Sequence, residues 1–219
     1  MQSFDEIYAR AVERKGGETA LLALLSTGFK SPQELAAIAD DRYLAEMTKA
    51  VFKAGFAWKV VDNKWAGFEE AFWGFDIGRC SFMSPDDEDV LCRDTRIVRN
   101  RQKILTVPHN AVMIAELARE HGSFSRFIAD WPGENFSGLL DVLARQGSRL
   151  GGMTTQYFLR AMGKDGFVLS ADGVYALIGA GVIDSPAIGK TAKKKIQHCF
   201  NCWQQESGFK LAEISRILA

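Results

Sequence analysis

Five prolines, three histidines and no net charge in 219 residues remove several options at once. So few prolines leave long stretches free of helix breakers. The 27 basic and 27 acidic side chains cancel, so the strongly basic surface that marks many nucleic-acid binders is absent, and any contact with DNA must come from a local patch. No apolar run is long enough to span a bilayer. Met1 leads into Phe4-Asp5-Glu6-Ile7-Tyr8 without the basic start and apolar core of a signal peptide, so a cytoplasmic protein with no membrane partner is expected. Cys80, Cys92, Cys199 and Cys202 are too few and too scattered for a disulfide framework. Cys199 and Cys202, with His198 beside them, are spaced like half a metal site, but His109 and His121 fall on other predicted helices. Reduced, partly buried cysteines are the preferred reading, with no metal and no other cofactor.

Strand-like alternation persists nowhere, and there is no repeat or low-complexity tract. Apolar residues recur at helical spacing over 3–14, 18–27, 42–54, 86–92, 96–120, 123–130, 136–145, 153–162, 171–179 and 186–204. Ser31-Pro32-Gln33-Glu34 combines a cap, a first-turn proline and a carboxylate at the third position, which opens a helix to about Ala39. Ser84-Pro85-Asp86-Asp87 repeats the pattern. The connectors are short, so an all-α fold is predicted, as one unit over 1–219 or two intimately packed helical lobes.

Arg149-Leu150-Gly151-Gly152-Met153-Thr154-Thr155 reads as a tight hairpin between two helices, and Ser170-Ala171-Asp172-Gly173-Val174 as an acidic entry to a third. Paired glycines accept positive φ and carry no Cβ, so amides at the head of the second helix can face an anion such as a nucleic-acid phosphate. A close-packed turn is the plainer alternative. Around Phe52 to Phe75, aromatic residues crowd far above the chain's 11%. They would suit either a helical core or a pocket that sandwiches an unstacked base. Arg93, Arg96, Arg99, Arg101 and Lys103 form a basic cluster that would suit a solvated face or a phosphate patch.

The blocks Ala54-Gly55-Phe56-Ala57-Trp58, Phe72, Phe75-Asp76 and Ile97-Val98-Arg99-Asn100-Arg101-Gln102-Lys103-Ile104, followed by Asn110-Ala111, resemble the DNA-3-methyladenine glycosylase I family. That family runs Gln-Ala-Gly-Leu-Ser-Trp, Phe-Asp, then Ile-Arg-His-Arg-Lys-Ile leading to Asn-Ala. The resemblance covers roughly 42–120 and resumes at the hairpin. It implies the helix-hairpin-helix glycosylase fold, here with its hairpin region at about 136–184. It also implies an enzyme that flips an alkylated base of double-stranded DNA into an aromatic pocket and hydrolyses the N-glycosidic bond. Trp58 matches the family's pocket tryptophan.

The departures bear on chemistry. The family's pocket glutamate lies four residues before the alanine of the Ala-Gly motif, where this chain has Ala50. Glu46 is one turn earlier and would substitute only with a register shift, while Lys49 and Lys53 would repel a cationic purine. The family's zinc ligands are also missing: there is no cysteine or histidine in the N-terminal segment, and Gly173 stands where a histidine is expected. Bifunctional relatives carry a lysine at the hairpin, but Met153 and Thr154 stand here, so no Schiff-base lyase step is expected. Asp172 falls about where the wider superfamily places an aspartate that stabilises the developing sugar cation or orients water. A first-turn residue behind the cap Ser170 is the competing reading of it.

The resulting expectation is a monomeric, monofunctional base-excision glycosylase. Asp172 is its catalytic carboxylate, and Trp58, Phe56 and Phe52 wall the base. Gly151, Gly152, Thr154, Arg99, Arg101 and Lys103 are at the DNA, although the three cations would also serve to brace the fold. Two alternatives are a non-catalytic binder of damaged DNA on the same scaffold and a helical interaction protein with no DNA role.

Overall fold

The computed structural model describes residues 2–25 and 28–219. The chain runs α1 (Phe4–Lys15), α2 (Glu18–Leu25), α3 (Pro32–Ala36), α4 (Asp40–Lys53), α5 (Trp58–Asn63), α6 (Trp65–Ala71), α7 (Ile77–Ser81) and α8 (Pro85–Arg93). It continues with α9 (Arg101–Ile104), α10 (Thr106–His121), α11 (Phe124–Asp130), α12 (Phe136–Gln146), α13 (Met153–Met162), α14 (Ala171–Gly179), α15 (Lys190–Ser207) and α16 (Leu211–Leu218). No strand occurs among the described residues, so the all-α expectation holds. The predicted extension of α2 to residue 27 lies outside the described residues. None of the described helices is long and apolar enough to cross a membrane.

The chain divides into two compact units. One takes in the segment up to Phe29, Trp131–Leu140 and Gly163–Ala219. Its core joins Phe136, Phe167, Phe200 and Trp203, whose rings meet in sequence at 5.0, 4.5 and 5.8 Å between centroids. The Asp165 carboxylate accepts the first amides of α16, from Leu211 at 3.3 Å and Ala212 at 3.0 Å. This helix was not anticipated, because the sequence reading ended at 204. Eight residues after a glycine are too short to be a stable helix alone. Burial of Leu211, Ile214, Ile217 and Leu218 stabilises it through tertiary packing.

The other unit comprises Lys30–Asp130 and Asp141–Met162. The predicted capping boxes open α3 and α8: Ser31 and Glu34 exchange bonds of 3.2 and 2.7 Å, and Ser84 and Asp87 of 3.1 and 2.9 Å. Asp40, at the start of α4, accepts the Phe124 and Ser125 amides and so caps α11. The single helix expected over 96–120 is instead two. The Asn100 side chain accepts the Lys103 amide and starts α9 there, which leaves 94–100 irregular. α4 runs through the middle of this unit with Tyr43, Leu44, Met47, Val51 and Phe52 buried along one face. Its opposite face carries Glu46 and Ala50, four residues apart and hence one above the other.

Candidate active site

The aromatic run separates into two parts. Phe52, Phe68, Phe72 and Phe75 are all 0% exposed. Phe52 meets Phe68 edge-on at 4.7 Å, and Trp65 lies parallel to both Phe68 and Phe75. These rings form the core. Phe52 therefore corrects the expectation that it walls a base, since α4 points it inward and no surface of it remains to stack on. Trp58 is different. It is the first residue of α5, is 51% exposed, and meets Tyr157 of α13 edge-on at 5.4 Å.

Trp58 stands at a cavity of about 560 Å³, within the size range usual for small-ligand sites. Two helical stripes and a turn build it. α4 contributes Glu46, Ala50 and Lys53; α13 contributes Met153, Thr154, Tyr157, Arg160 and Ala161. Ala54, Gly55 and Trp58 close one end, with Gly55 at a φ of 66° that the turn between α4 and α5 requires. Spacings of three and four along α4 and α13 place the lining side chains of these two helices on facing stripes.

Glu46 is the carboxylate of this cavity. Glu46 and Ala50 share a helix face, so the acid lines the cavity one turn away from Ala50. The i, i+4 relation was visible in the sequence and was the signal to use. Burial raises the Glu46 carboxyl above the ordinary range, against the pull of Lys49 and Lys53 and with a small push from Asp62. Lys53 Nζ lies 5.2 Å from the centre of the Trp58 ring and 2.8 Å from Asp62 Oδ1. Lys49 Nζ shares the same oxygen at 3.2 Å. One carboxylate thus answers two ammonium groups, which hold it below the usual aspartate range.

The basic block behaves in three ways. Lys103, expected at the DNA, is 8% exposed and donates to the carbonyls of Phe52 and Ala54 at 3.0 and 2.8 Å. It closes the C-terminal end of α4 and corrects that expectation, because an ammonium so engaged has little left for a phosphate. Burial, then the Arg149 charge, lowers its pKa. Arg101 is paired with Asp89 at 3.0 Å and Glu88 at 3.4 Å. Arg99 is exposed. Phe56 is 44% exposed and lies by Lys103, but it is not among the side chains that line the cavity.

The hairpin forms where expected, between α12 and α13. Buried Asn110 exchanges two bonds with Ser148: the Ser148 amide donates at 2.7 Å, and Asn110 Nδ2 donates back at 3.3 Å. Thr155 Oγ1 bonds the Leu150 carbonyl. Gly151 and Gly152 are exposed, Gly152 with φ 57°, and nothing stands within 4 Å of where either would carry a Cβ. Met153 and Thr154, immediately after them, are both in the cavity wall. The hairpin and the cavity are thus continuous along α13.

Asp172 belongs to the other unit. It is exposed in the first turn of α14, whose cap Ser170 accepts the Gly173 amide at 3.2 Å. It borders a separate cavity with Arg10, Arg14 and Tyr175. On α15, Cys202 Sγ and His198 Nε2 are 3.7 Å apart. Cys199 is buried, and burial pushes its thiol up to about 12. Among the described residues no group of three or more potential metal ligands assembles.

This all-α fold is similar to that of solved DNA glycosylases. The 8-oxoguanine DNA glycosylase of Methanocaldococcus jannaschii superposes with a TM-score of 0.53 at 15% identity, covering 96% of this chain and 90% of that one. The 3-methyladenine DNA glycosylase I of Staphylococcus aureus superposes with a TM-score of 0.52 at 24% identity, over 57% and 77%. The methyladenine glycosylase family model matches residues 36–139, from α3 into α12, and the resemblance read from the sequence motifs holds there. The matched span includes Glu46, Trp58 and Lys103 and excludes the hairpin glycines and Asp172.

Proposed function

We propose that the protein is a monofunctional DNA glycosylase that flips a damaged base, an alkylated one as the family resemblance implies, out of duplex DNA and hydrolyses its N-glycosidic bond. The observation that carries this reading is the α4–α13 cavity. It combines an exposed tryptophan, a half-buried carboxyl group and a wall that begins in the residues of the hairpin.

In this reading the Gly151 and Gly152 segment presents amides to a phosphate, at no electrostatic cost to the chain's zero net charge. The base stacks on Trp58, which offsets the few kcal/mol of unstacking. Water adds its oxygen to C1′, the glycosidic electron pair leaves with the base nitrogen, and the water surrenders a proton. Glu46 is the carboxyl group that meets the base. Asp172 is the candidate for assisting the water, on the strength of its sequence position alone. With Met153 and Thr154 at the hairpin, no lysine there attacks the sugar and an abasic site is the product. The protein acts as a monomer.

The test is base release from alkylated duplex DNA by the unmodified protein and by Trp58→Ala, Glu46→Gln and Asp172→Asn. Release that Trp58→Ala and Glu46→Gln suppress supports the reading. Tight, salt-dependent binding with no base released from any duplex overturns it in favour of a non-catalytic binder.

A further inference from the structure

We propose that the α4–α13 cavity takes an uncharged damaged base and that Lys53 is the residue that refuses a cationic one. This rests on the glycosylase reading and narrows it by the charge of the substrate. Purine nucleosides alkylated at N7 or N3, such as that of 7-methylguanine, carry a positive charge. Cyclic adducts such as 1,N6-ethenoadenine, and deaminated bases such as hypoxanthine, carry none.

Three observations converge. First, a cationic base would gain from the π-face of Trp58, but Lys53 Nζ already stands over that ring at 5.2 Å. An incoming cation would meet a like charge at the place where it should be most attracted. Second, Asp62 does not cancel Lys53, because it is shared with Lys49 at 3.2 Å and is itself outside the cavity wall. Third, the single carboxyl group of the wall is half-buried, and burial favours its protonated form.

A carboxyl group that burial shifts toward its protonated form suits an uncharged base, which is a poor leaving group. Such a base departs with the glycosidic electron pair and would become an anion. A proton from Glu46 to a ring nitrogen makes it leave neutral. The proton lost by the water that adds to C1′ passes to solvent, and a solvent proton restores Glu46. A cationic base already leaves neutral and needs no such donor.

The experiment measures single-turnover base release from three duplexes containing 1,N6-ethenoadenine, hypoxanthine or 7-methylguanine. It uses the unmodified protein, Lys53→Gln and Glu46→Gln, with thermal melts to show that each variant is folded. Release of an uncharged base in preference to 7-methylguanine is expected. Lys53→Gln should shift the ratio toward 7-methylguanine by about tenfold, as loss of a close like charge would. Glu46→Gln should abolish release of the uncharged base, because an amide supplies no proton. Release of 7-methylguanine at least as fast as the others overturns the inference and leaves the glycosylase reading standing. A charge ratio unmoved by Lys53→Gln overturns the assignment to Lys53. No release from any duplex overturns both.

Discussion

Lys103 Nζ donates to the backbone carbonyl of Ala54 at 2.8 Å, and so a residue of the most family-like basic block holds the turn that carries Trp58. The same ammonium reaches the Phe52 carbonyl at 3.0 Å. Replacement by methionine orphans two carbonyls at the end of α4. The buried Phe52 acceptor left unsatisfied costs roughly 1–3 kcal/mol, the solvent-accessible Ala54 carbonyl less, and each kcal/mol lowers Tm by about 2–4 °C in a chain of this length. The slope of DNA affinity against salt should stay as it was. Arg99→Ala, by contrast, should leave Tm alone and reduce that slope by about one phosphate contact. A salt slope that falls with Lys103→Met would place Lys103 at the DNA after all.

Phe52 and Trp58 lie six positions apart but have opposite surroundings. Phe52→Ala empties a fully buried position and should cost about 3–5 kcal/mol in denaturant unfolding. Trp58→Ala removes a half-exposed ring and should cost no more than about 1 kcal/mol, yet it should suppress base release. Comparable stability losses in the two variants would contradict the division of the aromatic run into core and wall.

Asn110 is the buried side chain that clamps the hairpin through Ser148. Asn110→Ala removes both bonds and should destabilise by roughly 1–3 kcal/mol. Hydrogen exchange at the Ser148 amide should accelerate more than exchange in α4, and DNA affinity should fall. Uniform acceleration across the unit would mean that the clamp acts on global stability and not on the loop.

The Glu46 carboxyl titrates above its unfolded range because of burial. Within the window between the two pKa values, the native state binds more protons than the unfolded one. Its contribution to stability is therefore present below the unfolded pKa and lost as pH rises through the folded one. Glu46→Gln removes this dependence, so its stability relative to the unmodified protein should improve as pH is raised across that window. Parallel stability curves for the two proteins across that range would show that Glu46 titrates normally.

Much of this arrangement was legible before any coordinates. Both capping boxes stood in the sequence as Ser-Pro-x-acid, and α13 and α14 begin and end where the spacing predicted. Failures came where tertiary contacts override local pattern. α16 depends on Asp165 and on burial, neither of which is adjacent to it in sequence. Lys103 and Arg99 look alike in a string of basic residues, and only the fold shows that one is buried under α4. Phe52 and Trp58 look alike as aromatics, and only the family resemblance singles out Trp58, because exposure depends on where the helix face points. Glu46 shares a helix face with position 50 but lies a full turn from it, so only the folded cavity shows that it lines the same wall.

The alanine at 50 leaves a stretch of α4 bare between the Glu46 carboxyl and the Lys53 ammonium. At 5.4 Å per turn, moving the acid from 50 to 46 lengthens that interval by about the width of one aromatic ring. The helix thus acts as a ruler. In the proposed function, a flat base set between the acid and the amine would be selected by its span along the axis as well as by its polarity.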